Sequence, residues 1–430
     1  MKTLAAGPLR GTLQVPGDKS ISHRALILGA LSRAGLKVRG LCDGQDAAST
    51  RRCLEALGAR FRQEPDGLSV LGGPWRRPAQ DLDCGNSGTT MRLLAGALAG
   101  QPFESRLTGD ASLSRRPMGR VAEPLQAMGA SLGLTRGCAP MTVRGRRPLK
   151  AVPFRLPVPS AQVKSAVMLA GLFADGPLVV EDPFGTRDHT ERLLGWLSEG
   201  RAVRQEGPRI EVVPGLWEGG KAMTVPGDIS SAAFFLGGAV LVPGSQVTVT
   251  GVGLNPTRLG FLEALQEMGA AVSMSHLRTE AGEPLGDVTA STSSLRGLRL
   301  GADRVPALVD EVPLLAVLAA SASGESRLEG LGELRLKESD RLAGVAAGLL
   351  ALGAGVEVQG DSLIIAGSSR FRGAALKTWG DHRLAMAFAV AAAAAEGDSS
   401  IDDESCAAIS YPGFFAAWEA LQARGRRSDP

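Results

Sequence analysis

The sequence predicts an α/β protein of two domains, each built from three similar units with helices packed inside and sheets outside. Three observations carry that expectation. The chain has 430 residues, too many for one ordinary core. A turn followed by an apolar, small-residue helix recurs six times. An amphipathic helix with the pattern L-x-x-L-G-A follows most of these copies.

The first copy reads VPGDKSISHRALILGAL from Val15, and VPGDISSAAFFLGGAV from Val225 repeats its form. The others are CGNSGTTMRLLAGALAG from Cys84, VPSAQVKSAVMLAGLFADG from Val158, VDEVPLLAVLAASASG from Val309 and WGDHRLAMAFAVAAAAAEG from Trp379. Counted from Gly17, Gly85, Ser160, Gly227, Asp310 and Gly380, they return about every 70 residues. These helices are apolar nearly all round, which implies burial on every side. The second helices are expected at 51–61, 120–132, 191–203, 258–272 and 341–356, with FFAAWEALQARG as a truncated C-terminal form. Each has one polar face and stops at Gly. PLVVEDP and SQVTVTGV, rich in β-branched residues, read as strands. The two V-P-G-D turns set the divide. Residues 17–227 form one domain, residues 1–16 and 228–430 the other, with hinges near 15–20 and 225–231.

Composition narrows the class of function. Hydrophobic residues make up 44% and charged residues 21%, with a net charge of only +3. Nothing global therefore suggests a nucleic-acid or membrane partner, and anion binding must come from local clustering. Five cysteines, Cys42, Cys53, Cys84, Cys138 and Cys406, include no C-x-x-C pair. That argues for reduced thiols in a cytoplasmic protein and against a metal site. The first twenty residues lack an apolar signal-peptide core, and the longest apolar run, Leu384 to Ala395, is too short to span a bilayer. The expectation is a soluble, intracellular monomer.

The charged residues gather at the helix starts. Lys19, Ser20 and Arg24 open the first buried helix, Arg92 lies in the second and Lys164 in the third. Asp310 and Glu311 open the fifth; Asp381, His382 and Arg383 open the sixth. SLSRRPMGR adds Arg115, Arg116 and Arg120, and RLKESDR adds Lys337, Glu338, Asp340 and Arg341. A helix N-terminus offers unpaired N–H groups and partial positive charge, which suits phosphate or carboxylate. Only eight lysines occur against 39 arginines, and Lys19, Lys164 and Lys337 fall in these motifs. Compact proton-bearing charges beside Arg forks fit catalysis on anions.

GDKSISHRALIL, DCGNSGTTMRLLAG, RRPMGR, PSAQVKSA, VDEVPLLAVLAA, RLKESDRL and GDHRLAMAFA, in this order, resemble the signature set of the 5-enolpyruvylshikimate-3-phosphate synthase family. The resemblance implies an inside-out α/β barrel of six βαβαββ-like repeats, three per domain, closing on substrate. It implies transfer of the enolpyruvyl group of phosphoenolpyruvate to the 5-hydroxyl of shikimate 3-phosphate, without metal or organic cofactor. Carried over by residue, Lys19, Ser20, Arg24, Ser160, Gln162, Asp310 and Lys337 would meet shikimate 3-phosphate. Lys19, Gly88, Arg116, Gln162, Arg341 and Arg383 would meet phosphoenolpyruvate. Glyphosate, in the family, extends beyond phosphoenolpyruvate near Gly88. Asp310, Glu338 and Lys19 would be the catalytic groups, and which of them moves which proton stays open.

Two positions depart from the family. Ile409 stands where some members carry Lys, and Glu333 where others have Asn. RDHTE from Arg187, SAQVK from Ser160 and NPTR from Asn255 resemble the second, glyphosate-tolerant class. The nearest rival is the UDP-N-acetylglucosamine enolpyruvyl transferase, whose active-site loop carries a Cys. The corresponding SLSRRPMGR has none, and Cys138 reads as a loop thiol. A non-catalytic polyanion or RNA binder on the same repeats is opposed by an aromatic content of 4% and the mild charge.

Overall fold

The computed structural model describes residues 1–427 and contains twelve α-helices among them. In chain order they are α1 (Lys19–Leu31), α2 (Gln45–Ala56), α3 (Gly88–Ala99), α4 (Gly119–Ala127), α5 (Ala161–Gly171) and α6 (His189–Ser198). Then come α7 (Ile229–Leu241), α8 (Gly260–Glu267), α9 (Val312–Ser321), α10 (Arg341–Ala351), α11 (His382–Ala393) and α12 (Phe414–Arg427). Odd-numbered helices are the apolar copies and even-numbered ones the amphipathic copies. The odd helices are buried along almost their whole length; α7, for example, is buried from Ile229 through Val240. Even helices α2 to α10 end just before glycines with positive φ, such as Gly58, Gly129 and Gly353, which close them in the left-handed conformation. The C-terminal copy is not truncated. At 14 residues α12 is the longest helix described.

The chain divides into two compact units. The first comprises Gly17–Val225 and Thr279–Glu283; the second comprises Met1–Pro16, Pro226–Arg278 and Pro284–Pro430. The short segment 279–283, which the sequence division left with 228–430, thus clusters with the first unit.

Six small sheets accompany the helices, five of four strands and one of three. Each four-stranded sheet repeats one plan. A first strand runs parallel to a second, and the second pairs antiparallel with a hairpin strand, as in the sheet of strands 82–83, 104–108, 138–144 and 131–135. A buried helix links the first two strands and an amphipathic helix leads into the hairpin. The strands flanking the two V-P-G-D turns depart from chain order. Strand Arg10–Leu13 precedes α1 yet pairs with Gln246–Val249, after α7. Strand Lys221–Thr224 precedes α7 yet pairs with Leu36–Arg39, after α1. The leading strands of the two related repeats are therefore exchanged. The three-stranded sheet closes with the N-terminal strand, Lys2–Leu4, antiparallel to Ser399–Ile401.

Each unit has its own core. Apolar residues of α1, α3 and α5 form one cluster, and those of α7, α9 and α11 the other. Small residues permit the helices to approach closely. A Cβ on Gly96 of α3 would lie 2.1 Å from the Ala166 carbonyl oxygen of α5, so any side chain there would drive the helices apart. Among the described residues no helix is long and apolar enough to cross a membrane.

Candidate active site

The helix starts are less open than their sequences suggest. Asp18 accepts from the Ile21 amide, Ser87 from Thr90, Ser160 from Val163, Asp228 from Ser230 and Asp381 from Arg383. Five of the six buried helices thus use one terminal N–H on their own cap. Ser160, expected on substrate, is one of these caps, its Oγ 3.4 Å from Val163 N.

In the first unit the predicted residues fall into two groups. Lys19 Nζ donates to Asp46 Oδ2 at 2.9 Å, so the ammonium has a carboxylate partner on α2. Arg24 is buried. Its Nε donates to Thr190 Oγ1 at 2.7 Å, Nη2 to Ser165 Oγ at 2.6 Å and Nη1 to the Ser20 carbonyl at 2.9 Å. All three acceptors are neutral. Burial, opposed most by the more distant Glu191 and Asp18, lowers the guanidinium pKa to about 10.

The second group surrounds the N-S-G-T-T turn. Arg92 Nη1 donates to Gln162 Oε1 at 2.6 Å, and Gln162 Nε2 donates to Thr89 Oγ1 at 2.9 Å. Arg116 Nη2 donates to Asn86 Oδ1 at 2.6 Å. Gly88 lies against both arginines, since a Cβ there would be 2.7 Å from Arg92 Nη1 and 3.4 Å from Arg116 Nη1. Arg115, in the same motif, is exposed.

In the second unit Arg341, fully buried at the start of α10, gathers three carboxylates. Nε donates to Asp381 Oδ2 at 2.8 Å, Nη2 to Glu338 Oε2 at 2.6 Å and Nη1 to Asp310 Oδ1 at 3.4 Å. Lys337 Nζ lies 3.7 Å from the same Asp310 oxygen. Burial alone would depress the Arg341 pKa, but Asp381, Glu338 and Asp310 outweigh it and raise it above the ordinary value. Arg383 stands apart from these contacts. Its Nη1 donates to the Ser230 carbonyl at 3.2 Å, and its guanidinium lies 5.8 Å from the centre of the Phe234 ring.

Two sequence readings change. Lys164 does not present its charge to a ligand. It is buried, donates to Asp182 Oδ2 at 2.8 Å and to the Thr186 carbonyl at 3.0 Å, and lies 2.8 Å from Glu191 Oε1. It binds α5 to α6. Cys138 is not in a loop but opens strand Cys138–Arg144, with its Sγ 3.6 Å from the Arg115 carbonyl. Among the described residues no trio of His, Cys, Asp or Glu is placed to hold a metal ion.

Asp46, Asn86, Ser165 and Thr190 were missed as partners of the site. Asp46 carries no local signal, because it meets Lys19 only through tertiary packing, whereas Asn86 lies inside the flagged N-S-G-T-T turn and only its pairing with Arg116 was hidden. Thr190 and Ser165 lie inside RDHTE and directly after SAQVK, so the motifs flagged the segments but not the hydroxyls.

The fold is one found among enolpyruvyl transferases. The solved enolpyruvyl transferase NikO from Streptomyces tendae matches with a TM-score of 0.78 at 19% identity, covering 97% of this chain and 96% of that one. The EPSP synthase from Acinetobacter baumannii matches more closely, with a TM-score of 0.86, 40% identity and 98% of each chain covered. A 3-phosphoshikimate 1-carboxyvinyltransferase from Anaeromyxobacter sp. is 50% identical over 419 residues, 96% of both chains. One from Desulforudis audaxviator is 48% identical over 429 residues, covering 98% of this chain and 99% of the relative. The chain belongs to the EPSP synthase (3-phosphoshikimate 1-carboxyvinyltransferase) family, whose pattern matches residues 4–418. It is an enzyme, and that transfer is its activity.

Proposed function

We propose a division of labour between the two sets of residues in this reaction. Lys19, Ser20 and Arg24 receive shikimate 3-phosphate, and Ser160 and Gln162 hold its phosphate side. Gly88, Arg116, Arg341 and Arg383 meet phosphoenolpyruvate, and Lys19 and Gln162 contact it as well. Asp310, supported by Lys337, takes the proton of the 5-hydroxyl as its oxygen attacks C2 of phosphoenolpyruvate. Glu338 and Lys19 handle the proton that enters the methylene carbon in the tetrahedral intermediate and the one that accompanies phosphate out. Elimination takes a proton back from the resulting methyl group onto Glu338 or Lys19, returns the double bond and releases phosphate, so atoms and charge balance across the two steps.

The observation that carries this reading is Arg24. Among the described residues it is a buried cation whose every hydrogen-bond acceptor is neutral. A buried charge without a counterion is costly, and an anionic group of shikimate 3-phosphate, its carboxylate or its phosphate, supplies one. Ser160 supports the reading less directly, because its hydroxyl already caps α5. The test is phosphate release on mixing shikimate 3-phosphate with phosphoenolpyruvate, each alone serving as control, for wild type and Arg24→Met. Release should require both substrates, and the variant should need far more shikimate 3-phosphate. An unchanged KM for that substrate would remove Arg24 from the site.

A further inference from the structure

The guanidinium of Arg24 is held by a pair of hydroxyls that do a job no substrate contact would reveal. Thr190 Oγ1 and Ser165 Oγ bond each other at 2.7 Å. Arg24 Nε and Nη2 bond one of them each, at 2.7 and 2.6 Å, closing a ring of three side chains. All three residues are buried. Their backbone is fixed by the neighbouring residues. Lys164, next to Ser165, lies 2.8 Å from both Asp182 and Glu191, and Glu191 is next to Thr190. On the other flank His189 Nδ1 lies 2.8 Å from Glu283 Oε1.

A guanidinium is a planar fork with five N–H groups. Fixing Nε and Nη2 fixes the plane, and the Ser20 carbonyl takes one N–H of Nη1. One N–H remains on each terminal nitrogen, the pair that grips a carboxylate or phosphate in bidentate fashion. We infer that Thr190 and Ser165 are positioning residues for shikimate 3-phosphate, setting the plane in which Arg24 offers its two remaining N–H groups while leaving its charge unspent. This deepens the reading of Arg24 given above and rests on it. Hydroxyls suit the role because they accept an N–H without neutralising the cation. A carboxylate at either position would hold Arg24 equally well but compete with the substrate's anionic group for it.

Thr190→Val keeps the shape and removes the acceptor. It should raise the KM for shikimate 3-phosphate roughly ten- to hundredfold, the cost of leaving a buried charged donor unpaired, with the KM for phosphoenolpyruvate unchanged. Thr190→Ser should restore it. Ser165→Asp should weaken shikimate 3-phosphate at least as much while keeping or raising the melting temperature, since it supplies the missing counterion internally. In an Arg24→Met background, Thr190→Val should have no further effect on that KM. Four results would overturn the inference: a wild-type KM in Thr190→Val, an equal loss for both substrates, a full additional loss in the Arg24→Met background, or normal affinity in Ser165→Asp. If Arg24→Met itself leaves the KM unchanged, the substrate site is wrong. If Arg24→Met destroys affinity and Thr190→Val does not, only the positioning role is wrong.

Discussion

Arg24 and Arg341 are the same side chain, buried to nearly the same degree near the start of helices α1 and α10, and their surroundings are opposite. Arg24 meets two hydroxyls and a carbonyl, and its pKa falls to about 10. Arg341 meets Asp381, Glu338 and Asp310, and its pKa rises. Burial acts on both in the same direction, so the difference comes from the partners alone. A cation left without an anion is a receptor for one. A cation already surrounded by anions instead holds those carboxylates where they can carry protons. In the proposed reaction Arg24 serves shikimate 3-phosphate alone, whereas Arg341 meets phosphoenolpyruvate and also holds the proposed proton carriers.

The sharpest test makes the same substitution at both positions. Arg341→Met removes the buried cation that three carboxylates share, and losing one partner of such a set costs roughly 3–5 kcal/mol. Its melting temperature should fall by roughly 10 °C, taking a few degrees per kcal/mol for a unit of this size. Arg24→Met removes a charge whose burial is only partly compensated, and Thr190 and Ser165 still bond each other. Its melting temperature in the absence of ligand should stay level or rise by a few degrees, while shikimate 3-phosphate binding collapses. Equal losses of stability at both positions, measured by calorimetry, would break the comparison.

Glu338→Gln sharpens it from the other side. The amide keeps the volume and can still accept from Arg341 Nη2, but it no longer exchanges a proton under turnover conditions. The turnover rate should drop by about 10² or more, the usual size of a general acid–base contribution, with shikimate 3-phosphate affinity retained in equilibrium binding. Near-normal turnover would reduce Glu338 to an ion-pair partner and leave the Arg341 cluster without its assigned chemistry.

Much of this architecture was legible in the sequence, because the repeat shows itself locally. A turn, an apolar helix and an L-x-x-L-G-A helix recur at a steady interval, and each needs only its own residues to be recognised. The exchange of leading strands was not legible. Arg10–Leu13 and Lys221–Thr224 are four residues each, and what they pair with is decided by the path of the whole chain. The same limit governed the site. Helix starts revealed which segments carry charge, but whether a charge is spent depends on partners far away in sequence. Lys164 looked like Lys19 by position, yet Asp182 and Glu191 enclose it. Arg24 and Arg341 both read as cations near helix starts, and only Thr190 and Asp381 show how differently each is paired.

The smallest expected effect concerns the turn beside the first unit's other cations. Gly88 opens α3 behind its cap Ser87, and an added Cβ would meet Arg92 Nη1 at 2.7 Å and Arg116 Nη1 at 3.4 Å. Both neighbours are ends of long side chains rather than backbone, so Ala can be admitted by displacing guanidiniums. Arg92 is the one that must yield, and it is tied to Gln162 and to the Pro117 carbonyl. Gly88→Ala should therefore displace Arg92 and press on Arg116, the neighbour proposed to meet phosphoenolpyruvate, with little cost to the fold, and melting should shift by no more than a few degrees. Shikimate 3-phosphate affinity, resting on Arg24, should hold. Glyphosate reaches further toward this turn than phosphoenolpyruvate in the proposed pocket, so its inhibition constant should rise by roughly tenfold more than the KM for phosphoenolpyruvate, the scale of one misplaced methyl group. The measurement is the ratio of the two constants in each protein, which stays informative even where wild type already resists the inhibitor. Equal weakening of both ligands would detach Gly88 from selectivity. A lost affinity for shikimate 3-phosphate would show that the turn and Arg24 do not act independently.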